Sequence, residues 1–133
     1  MSRENVELVH RWWGAFNETG TAPLDLCDEQ IEMRNPSRWP VQGPFIGHDG
    51  IRQWESDVWE VFSDVRLDVD EVIDVGDGQT VVSVQTVRGH MRHSGLASNV
   101  RWAAVWKIRA GKAIRAYGYL SKAEALEAVG LPE

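Results

Sequence analysis

Two histidines in the second half of the chain are its best candidates for proton transfer. His90 and His93 lie in a segment that alternates like a β-strand. Histidine ionises near neutral pH and can act as a general acid or base. Because successive side chains of a strand point to opposite faces, at most one of the two can face the interior. We predict that one of them carries any acid–base catalysis; the alternative is that both lie in solvent.

The sequence predicts no metal ion and no cofactor. The spacing of His90 and His93 suits one face of a helix but splits across the two faces of a strand, and a metal site needs three or four converging ligands. Cys27 is the single cysteine, so it has no disulfide partner within the chain. We expect Cys27 to be a buried or half-buried, inert thiol.

Tryptophan is the unusual component of the chain, with seven residues against three phenylalanines and two tyrosines. Large flat side chains beside small ones suit the walls of a ligand cavity, although aromatic side chains also fill cores without any ligand. A buried amide must find a hydrogen-bond partner, so an inward-facing Asn35 or Gln85 would orient the ligand. The ligand contacts that we predict are Trp13, Phe16, Met33, Asn35, Trp54, Gln85, Trp102, Ala104, Trp106, Ala116 and Gly118.

The elements that would position these residues begin with three helical segments and one strand. Hydrophobic residues repeat at helical spacing over residues 3–17 and 49–62, and residues 24–27 form a short helix between them. Residues 31–35 alternate like a strand. Residues 37–47 are rich in proline and carry Trp39 and Phe45, which predicts an irregular loop able to act as a lid.

Period-two alternation dominates from residue 65 onward and predicts antiparallel strands. Strands are expected to residue 73 and over residues 80–92, 98–109 and 113–120, joined by tight turns. Ser121 and Glu124 form the capping box of a closing helix, which Gly130 and Pro132 end. Helices followed by a strand meander, without a repeat or a linker, predict one α+β domain over residues 1–133.

Charge and hydropathy exclude several functional classes. The net charge of −6 and the scattered arginines oppose binding to nucleic acid. No apolar run is long enough to span a membrane, and the first residues lack the apolar stretch of a signal peptide. We therefore expect a cytoplasmic protein without nucleic-acid or membrane partners.

Three segments carry a resemblance to a known family. They are Val-His-Arg-Trp-Trp-Gly-Ala-Phe-Asn at 9–17, Phe-Ile-Gly-His-Asp-Gly-Ile-Arg at 45–52 and Trp-Lys-Ile-Arg-Ala-Gly-Lys-Ala-Ile at 106–114. They resemble the nuclear transport factor two-like superfamily, in particular its SnoaL-like branch. The resemblance implies a cone: a strongly bent antiparallel sheet packed against about three N-terminal helices, with a short C-terminal helix.

The family includes ketosteroid isomerase, polyketide cyclases, epoxide hydrolases and proteins without catalysis, so the fold sets no reaction. The ketosteroid isomerase residues fall at Trp12, at Met33 or Asn35, and at Ala104, none of which can abstract a proton. Whether the chain is an enzyme therefore stays open. The first hypothesis is the binding of a small hydrophobic or aromatic metabolite in an apolar, Trp-lined cone, with or without weak or uncharacterised catalysis. The second is a SnoaL-like isomerase, cyclase or hydrolase acting on a polyketide- or steroid-like substrate, and the third is a non-catalytic dimeric interaction domain.

The late strands also predict a homodimer. Their outer face carries Ala103, Val105, Tyr117 and Tyr119, which is more apolar surface than a lone domain usually exposes. Members of the resembled family also pair through this face. We expect two copies of the chain to associate there.

Overall fold

The computed structural model describes residues 2–131, so the expected Pro132 stop and the two ends of the predicted domain lie outside the described residues. The helices are α1 (Ser2–Thr19), α2 (Gly47–Val61), α3 (Lys122–Ala128) and a short 3-10 helix, Leu24–Leu26. The strands are β1 (Cys27–Arg34), β2 (Phe45–Ile46), β3 (Phe62–Asp74), β4 (Thr80–Met91), β5 (Ala97–Arg109) and β6 (Lys112–Tyr119). The predicted order of elements is confirmed.

The two long helices form because their apolar residues recur at helical spacing. In α1 the buried residues Val9, Trp13 and Phe16 lie on one stripe, and in α2 Ile51, Trp54 and Val58 do the same. The helix α1 packs on β3 and β4, whereas α2 packs on β1, β2 and β3. Both helices therefore cover the same concave face of the sheet.

The sheet has the strand order β2-β1-β6-β5-β4-β3. Strands β3 to β6 form the predicted antiparallel meander. In contrast to the fully antiparallel sheet that we expected, β1 runs parallel to β6. These two strands are far apart in sequence, and a long crossover connection permits parallel pairing. β1 also starts at Cys27, earlier than predicted, through an irregular register between Cys27 and Glu32.

A β-bulge in β3 explains the change of hydrophobic phase in this strand. Val69 pairs with Gln85 of β4, but Glu71 pairs with Val84, so one extra residue is inserted on β3. Val69 and Val72 therefore both face the helices, while Ile73 turns to the other face. A bulge bends its strand and increases the local twist. The bend helps the open sheet to curve around α1 and α2 as a cone, which confirms the predicted α+β fold.

The outer face of the sheet is partly covered by α3. Ser121 caps this helix by accepting a hydrogen bond from the backbone N–H of Glu124 at 3.1 Å. Leu126 of α3 packs in a second core cluster with Ala103 and Val105, whose exposed fractions are only 0% and 8%. The expectation that Ala103 and Val105 present apolar surface to a second copy is therefore wrong. The homodimer itself stays a prediction.

No helix within residues 2–131 combines the length and the apolar character that a transmembrane span requires.

Candidate functional site

A cavity of about 210 Å³ opens between the helices and the concave side of the sheet. Six aromatic side chains form most of its wall: Trp13, Phe16, Trp39, Trp54, Phe62 and Trp102. Aliphatic side chains fill the gaps between them: Pro40, Val41, Val58, Val65, Leu67, Val87, Met91 and Val100. The polar lining residues are Asn35 and Ser98, and none of the lining residues is ionisable.

Helical spacing in α1 and α2 and alternation along the strands bring these side chains together. The helical stripe of α1 supplies Trp13 and Phe16, and the stripe of α2 supplies Trp54. Alternation along the strands directs Val87 of β4 and Trp102 of β5 to the same concave face. The segment after β1 supplies Trp39, Pro40 and Val41 to the remaining side of the cavity.

The tryptophans form one connected aromatic cluster at the centre of the molecule. The ring of Trp13 lies 4.9 Å from that of Trp12 and 5.9 Å from that of Trp102, in both cases edge to face. The ring of Trp102 meets that of Trp39 at 4.8 Å. Edge-to-face pairs add to the free energy gained from burial. The cluster thus builds both the core and the inner wall of the cavity.

The indole N–H groups of six of the seven tryptophans fall into two sets, those with and those without a hydrogen-bond acceptor. Three of them have acceptors: Trp12 donates to Cys27 Sγ at 3.4 Å, Trp59 to Gly20 O at 2.9 Å, and Trp106 to Ser83 Oγ at 2.8 Å. The Nε1 atoms of Trp13, Trp54 and Trp102 are buried and have no hydrogen-bond partner among residues 2–131. These last three residues line the cavity together with Trp39, the seventh tryptophan.

Gln85 is a buried amide behind the cavity wall. Its exposed fraction is 0%, and neither its Nε2 nor its Oε1 has a hydrogen-bond partner within the described part of the chain. It faces inward as required for a ligand contact, and it lies directly opposite Trp102 in the β4–β5 register. It is not among the residues that line the cavity.

Asn35 does line the cavity and also holds the loop that follows β1. Its Nδ2 donates to Val41 O at 2.8 Å, and its backbone N–H donates to Gln42 O at 2.9 Å. Its Oδ1 accepts no hydrogen bond from residues 2–131. The side chain therefore fixes the loop with its donor and leaves its acceptor for a ligand.

Five of the predicted ligand contacts lie elsewhere. Met33, Ala104, Trp106, Ala116 and Gly118 surround a separate space of about 10 Å³, enough for about one water molecule at most. At Gly118 a Cβ atom would come within 2.6 Å of Pro36 Cδ, so this glycine admits the chain after β1 rather than a ligand. The space expected between the indoles is filled by the indoles themselves. Trp13, Phe16, Asn35, Trp54 and Trp102 line the larger cavity, and their contact with a ligand stays a prediction.

Neither candidate catalytic histidine lines the cavity. His90 is exposed on the outer face of the sheet, with its Nδ1 3.0 Å from Asp64 Oδ2. His93 is exposed in the turn between β4 and β5. The strand phase explains the first placement, because Gly89 and Met91 take the inward positions on either side of His90. The structure thus corrects the expectation that one of the two reaches the interior.

Cys27 is a buried thiol, as expected, and lies outside the cavity. Burial raises the pKa of its thiol to about 11, although the hydrogen bond from Trp12 opposes this effect. A thiol with this pKa carries almost no thiolate at neutral pH. Within residues 2–131 no group of three or more His, Cys, Asp or Glu residues is placed to hold a metal ion.

The sequence prediction missed the lower and outer parts of the cavity. The missed residues are Trp39, Pro40, Val41, Val58, Phe62, Val65, Leu67, Val87, Met91, Ser98 and Val100. The helix predicted over residues 49–62 already contained Val58 and Phe62 on its apolar face, although Phe62 begins β3 in the structure. Strand alternation already grouped Leu67 with Val69 on one face. Periodicity identifies the face of an element but not the depth at which a cavity begins.

Comparisons with solved structures agree with this architecture. An NTF2-like protein of unknown function from Burkholderia pseudomallei has a TM-score of 0.77 at 21% identity, over 96% of this chain and 98% of its own. TerC, crystallised with polyporic acid, has a TM-score of 0.75 at 24% identity, over 93% and 96% of the two chains. A protein of ketosteroid isomerase-like fold from Catenulispora acidiphila, in complex with trimethylamine, has a TM-score of 0.74 at 20% identity, over 95% and 94%. No curated protein matches the sequence.

The open cone, its helical cover and the internal cavity define a protein of the NTF2-like class. The family model described as the SnoaL-like domain matches residues 9–116, most of the chain. The chain therefore belongs to the SnoaL-like domain family.

Proposed function

We propose that this protein binds a small, uncharged hydrophobic or aromatic molecule in the cavity beside Trp13, Trp54 and Trp102. The observation that carries the proposal is an aromatic-lined space of about 210 Å³. Apolar cavities of about 150 Å³ hold a benzene molecule, so this one suits a compound of about one or two rings. Burial of such a compound against aromatic walls supplies the free energy of binding.

The charge distribution supports an uncharged ligand. None of the residues that line the cavity is ionisable, so a buried charge on the ligand would find no counter-ion. The transfer of an unpaired charge from water into an apolar site is strongly unfavourable. The small molecules crystallised with TerC and with the Catenulispora protein are consistent with a small-molecule site in this fold.

The proposal is tested by native mass spectrometry of freshly purified protein and by calorimetric titration with indane, a small bicyclic hydrocarbon. We expect either a retained small molecule or saturable binding of indane at one site per chain. A matched pair of variants in β3 locates the site. Val65→Phe adds atoms to a side chain that lines the cavity and should abolish binding, whereas Ile73→Phe changes the opposite face and should preserve it. Absence of binding, or equal binding by both variants, would contradict the proposal.

The enzymatic alternative needs a group that can move a proton at the ligand. The candidates for proton transfer that the sequence offered, His90 and His93, are exposed and do not line the cavity. The polar groups of the lining residues are amide, hydroxyl and indole groups. Indole and amide groups donate hydrogen bonds but do not serve as bases near neutral pH. Binding without acid–base catalysis is therefore the function that these residues favour.

We also propose that the chain forms a homodimer through the part of the outer sheet face that α3 leaves uncovered. Tyr117 of β6 is half-buried there, and the guanidinium groups of Arg34 and Arg115 each lie 5.0 Å from the Tyr117 ring. Tyr119, which we also expected at the dimer interface, packs against the cluster that α3 covers. Sedimentation velocity at micromolar concentration should give a species of twice the chain mass of 15.0 kDa. A single species at the chain mass would rule the dimer out.

A further inference from the structure

The mouth of the cavity is marked by the lining residues that are not buried. These residues belong to the segment after β1, to the start of β3 and to the β4–β5 hairpin: Trp39, Pro40, Phe62, Val65, Met91, Ser98 and Val100. The other lining residues, such as Trp13 and Trp54, are buried and form the floor. A ligand therefore enters between the hairpin and the elements that face it.

Arg92 of the hairpin joins it to the junction between α2 and β3. Its backbone N–H donates to Val61 O at 2.8 Å, its Nε to Trp59 O at 2.9 Å and its Nη2 to Phe62 O at 2.9 Å. Within residues 2–131 no other hydrogen bond connects α2 to the hairpin. Phe62 and Met91, the neighbour of Arg92 in the chain, both line the cavity. The contacts of Arg92 thus lie at the mouth.

The carbonyl groups that Arg92 binds are those that a helix leaves unpaired at its end. The last carbonyl groups of a helix lack partners within it and attract positive charge. Since α2 ends at Val61 and β3 begins at Phe62, no glycine turn caps α2, and its last turn contains no basic residue. The planar guanidinium group of Arg92 supplies this cap from the hairpin. The cap of α2 and the closure of the mouth therefore depend on the same contacts.

We propose that Arg92 is a positioning residue, which holds the β4–β5 hairpin against α2 and thereby controls how fast a ligand enters and leaves the cavity. This inference rests on the proposed binding function and adds how the site opens. The packing supports it, because α2 packs mainly on β1, β2 and β3, while side chains of α2 and of the hairpin both line the cavity. Release of Arg92 frees the hairpin from α2 and leaves the aromatic floor in place.

The competing explanation is that Arg92 only caps α2. Loss of a cap lowers the stability of the fold, but it does not by itself accelerate the exchange of a ligand. The two roles therefore differ in binding kinetics. If the mouth must open for both entry and exit, loss of the Arg92 contacts accelerates both steps by a similar factor and leaves the dissociation constant nearly unchanged.

The experiment measures the binding kinetics of indane by stopped-flow tryptophan fluorescence. Arg92→Met keeps the length of the side chain and removes its donors, so association and dissociation should both accelerate by about 10-fold, with a dissociation constant within about 3-fold of the wild type. Arg92→Lys keeps the charge without the planar fork and should give intermediate rates. Arg88→Met is the matched control, because Arg88 also belongs to β4 but binds Asp68 and Asn99 on the outer face. Its rates should equal those of the wild type.

Two further measurements separate opening of the mouth from a general loss of stability. Ser121→Ala removes the cap of α3 and should lower the free energy of unfolding without changing the rates. In the ligand-free protein, Arg92→Met should accelerate amide exchange at residue 92 but not at Ile108, which donates to Gln79 O at the other end of β5.

The outcomes distinguish this inference from the binding function on which it rests. Equal acceleration of association and dissociation in Arg92→Met, with faster amide exchange at residue 92, supports the inference. If indane binds but its rates are unchanged in Arg92→Met, or if dissociation alone accelerates, the inference is overturned while the binding function survives. If indane does not bind to the wild type, the binding function fails, and control of ligand exchange by Arg92 fails with it.

Discussion

At the scale of single residues, two buried polar side chains that face inward from β4, Ser83 and Gln85, differ in whether they are hydrogen-bonded. Ser83 accepts from the Trp106 indole at 2.8 Å, whereas Gln85, two positions along the same strand, has no partner for either amide atom within residues 2–131. Both are fully buried. The pair therefore allows the value of a satisfied buried polar group to be compared with that of an unsatisfied one in the same environment.

We predict opposite effects on stability for the two. Gln85→Met keeps the side-chain size and removes the unpaired amide, so the free energy of unfolding of the ligand-free protein should rise by about 1–3 kcal/mol. Ser83→Ala removes the acceptor of Trp106 and should lower the free energy of unfolding by a similar amount. Urea denaturation at constant pH measures both. A loss of stability in Gln85→Met would show that the amide has hydrogen-bond partners in solution and would contradict this prediction.

At the scale of elements, the segment between β1 and β2 forms the outer wall of the cavity. Trp39 lies edge to face on Trp102 at 4.8 Å, and the Asn35 side chain holds the segment through Val41 O. Trp39 is only half-buried, so its contacts contribute less to folding than those of the core tryptophans. This arrangement suits a side chain that closes over a ligand.

Trp39→Ala should therefore change the kinetics of binding more than the stability of the fold. We expect dissociation of indane to accelerate by at least about 10-fold, because the loss of one large aromatic contact removes roughly 2 kcal/mol of burial. Arg38→Ala, which changes the exposed neighbour, is the control and should leave the rate unchanged. Stopped-flow tryptophan fluorescence gives the rates. Unchanged dissociation in Trp39→Ala would mean that the segment does not cover the ligand.

The turn between β3 and β4 contains a carboxylate, Asp77, whose hydrogen bonds make the stability of the fold sensitive to acid. Hydrogen bonds from the Thr80 hydroxyl and from the backbone N–H of Gln79 lower the pKa of Asp77 from 3.8 to about 2. The folded state therefore stabilises the ionised form of Asp77 relative to the unfolded chain. This contribution to stability is present above about pH 4 and is lost as the pH falls toward 2.

Asp77→Asn should consequently reduce the part of the acid dependence that lies between about pH 4 and pH 2. Thr80→Val, which removes the strongest of the hydrogen bonds to Asp77, should have an intermediate effect. Because the Asp77 side chain is 41% exposed, solvent screening keeps the effect small. The measurement is a series of urea denaturation curves across this pH range. An acid dependence identical to that of the wild type would contradict the assigned role.

The elements were predictable from the sequence to a greater extent than the site. Helical spacing gave α1 and α2, and alternation gave the inward face of β5, because both patterns are local. Alternation left the inward face of β4 open. The parallel pairing of β1 with β6 was not predictable, since it depends on a contact between distant segments. The cavity was placed too deep for the same reason: the sequence contains Ala104, Ala116 and Gly118, but not the fact that Trp12, Trp13 and Trp106 fill the space beside them.

At the scale of the whole molecule, charge and cavity occupy different surfaces. The ion pairs of the sheet lie on its outer face, where Arg88 and Arg66 both bind Asp68 and His90 faces Asp64. The concave face carries aromatic, aliphatic, amide and hydroxyl groups toward the cavity. Titration of the outer face should therefore change the stability of the protein without changing the interior that a ligand meets.

This separation predicts that the affinity for an uncharged ligand is nearly independent of pH. The dissociation constant of indane should vary by less than about 2-fold between roughly pH 5 and pH 9, because no lining residue gains or loses a proton. A contribution from His90 or His93 would instead produce an inflection of the affinity within this range. His90→Gln and His93→Gln identify the source, since the responsible variant alone would abolish the inflection. Calorimetric titration across this range distinguishes the two, and an inflection removed by either variant would return histidine to the site and reject the purely neutral cavity.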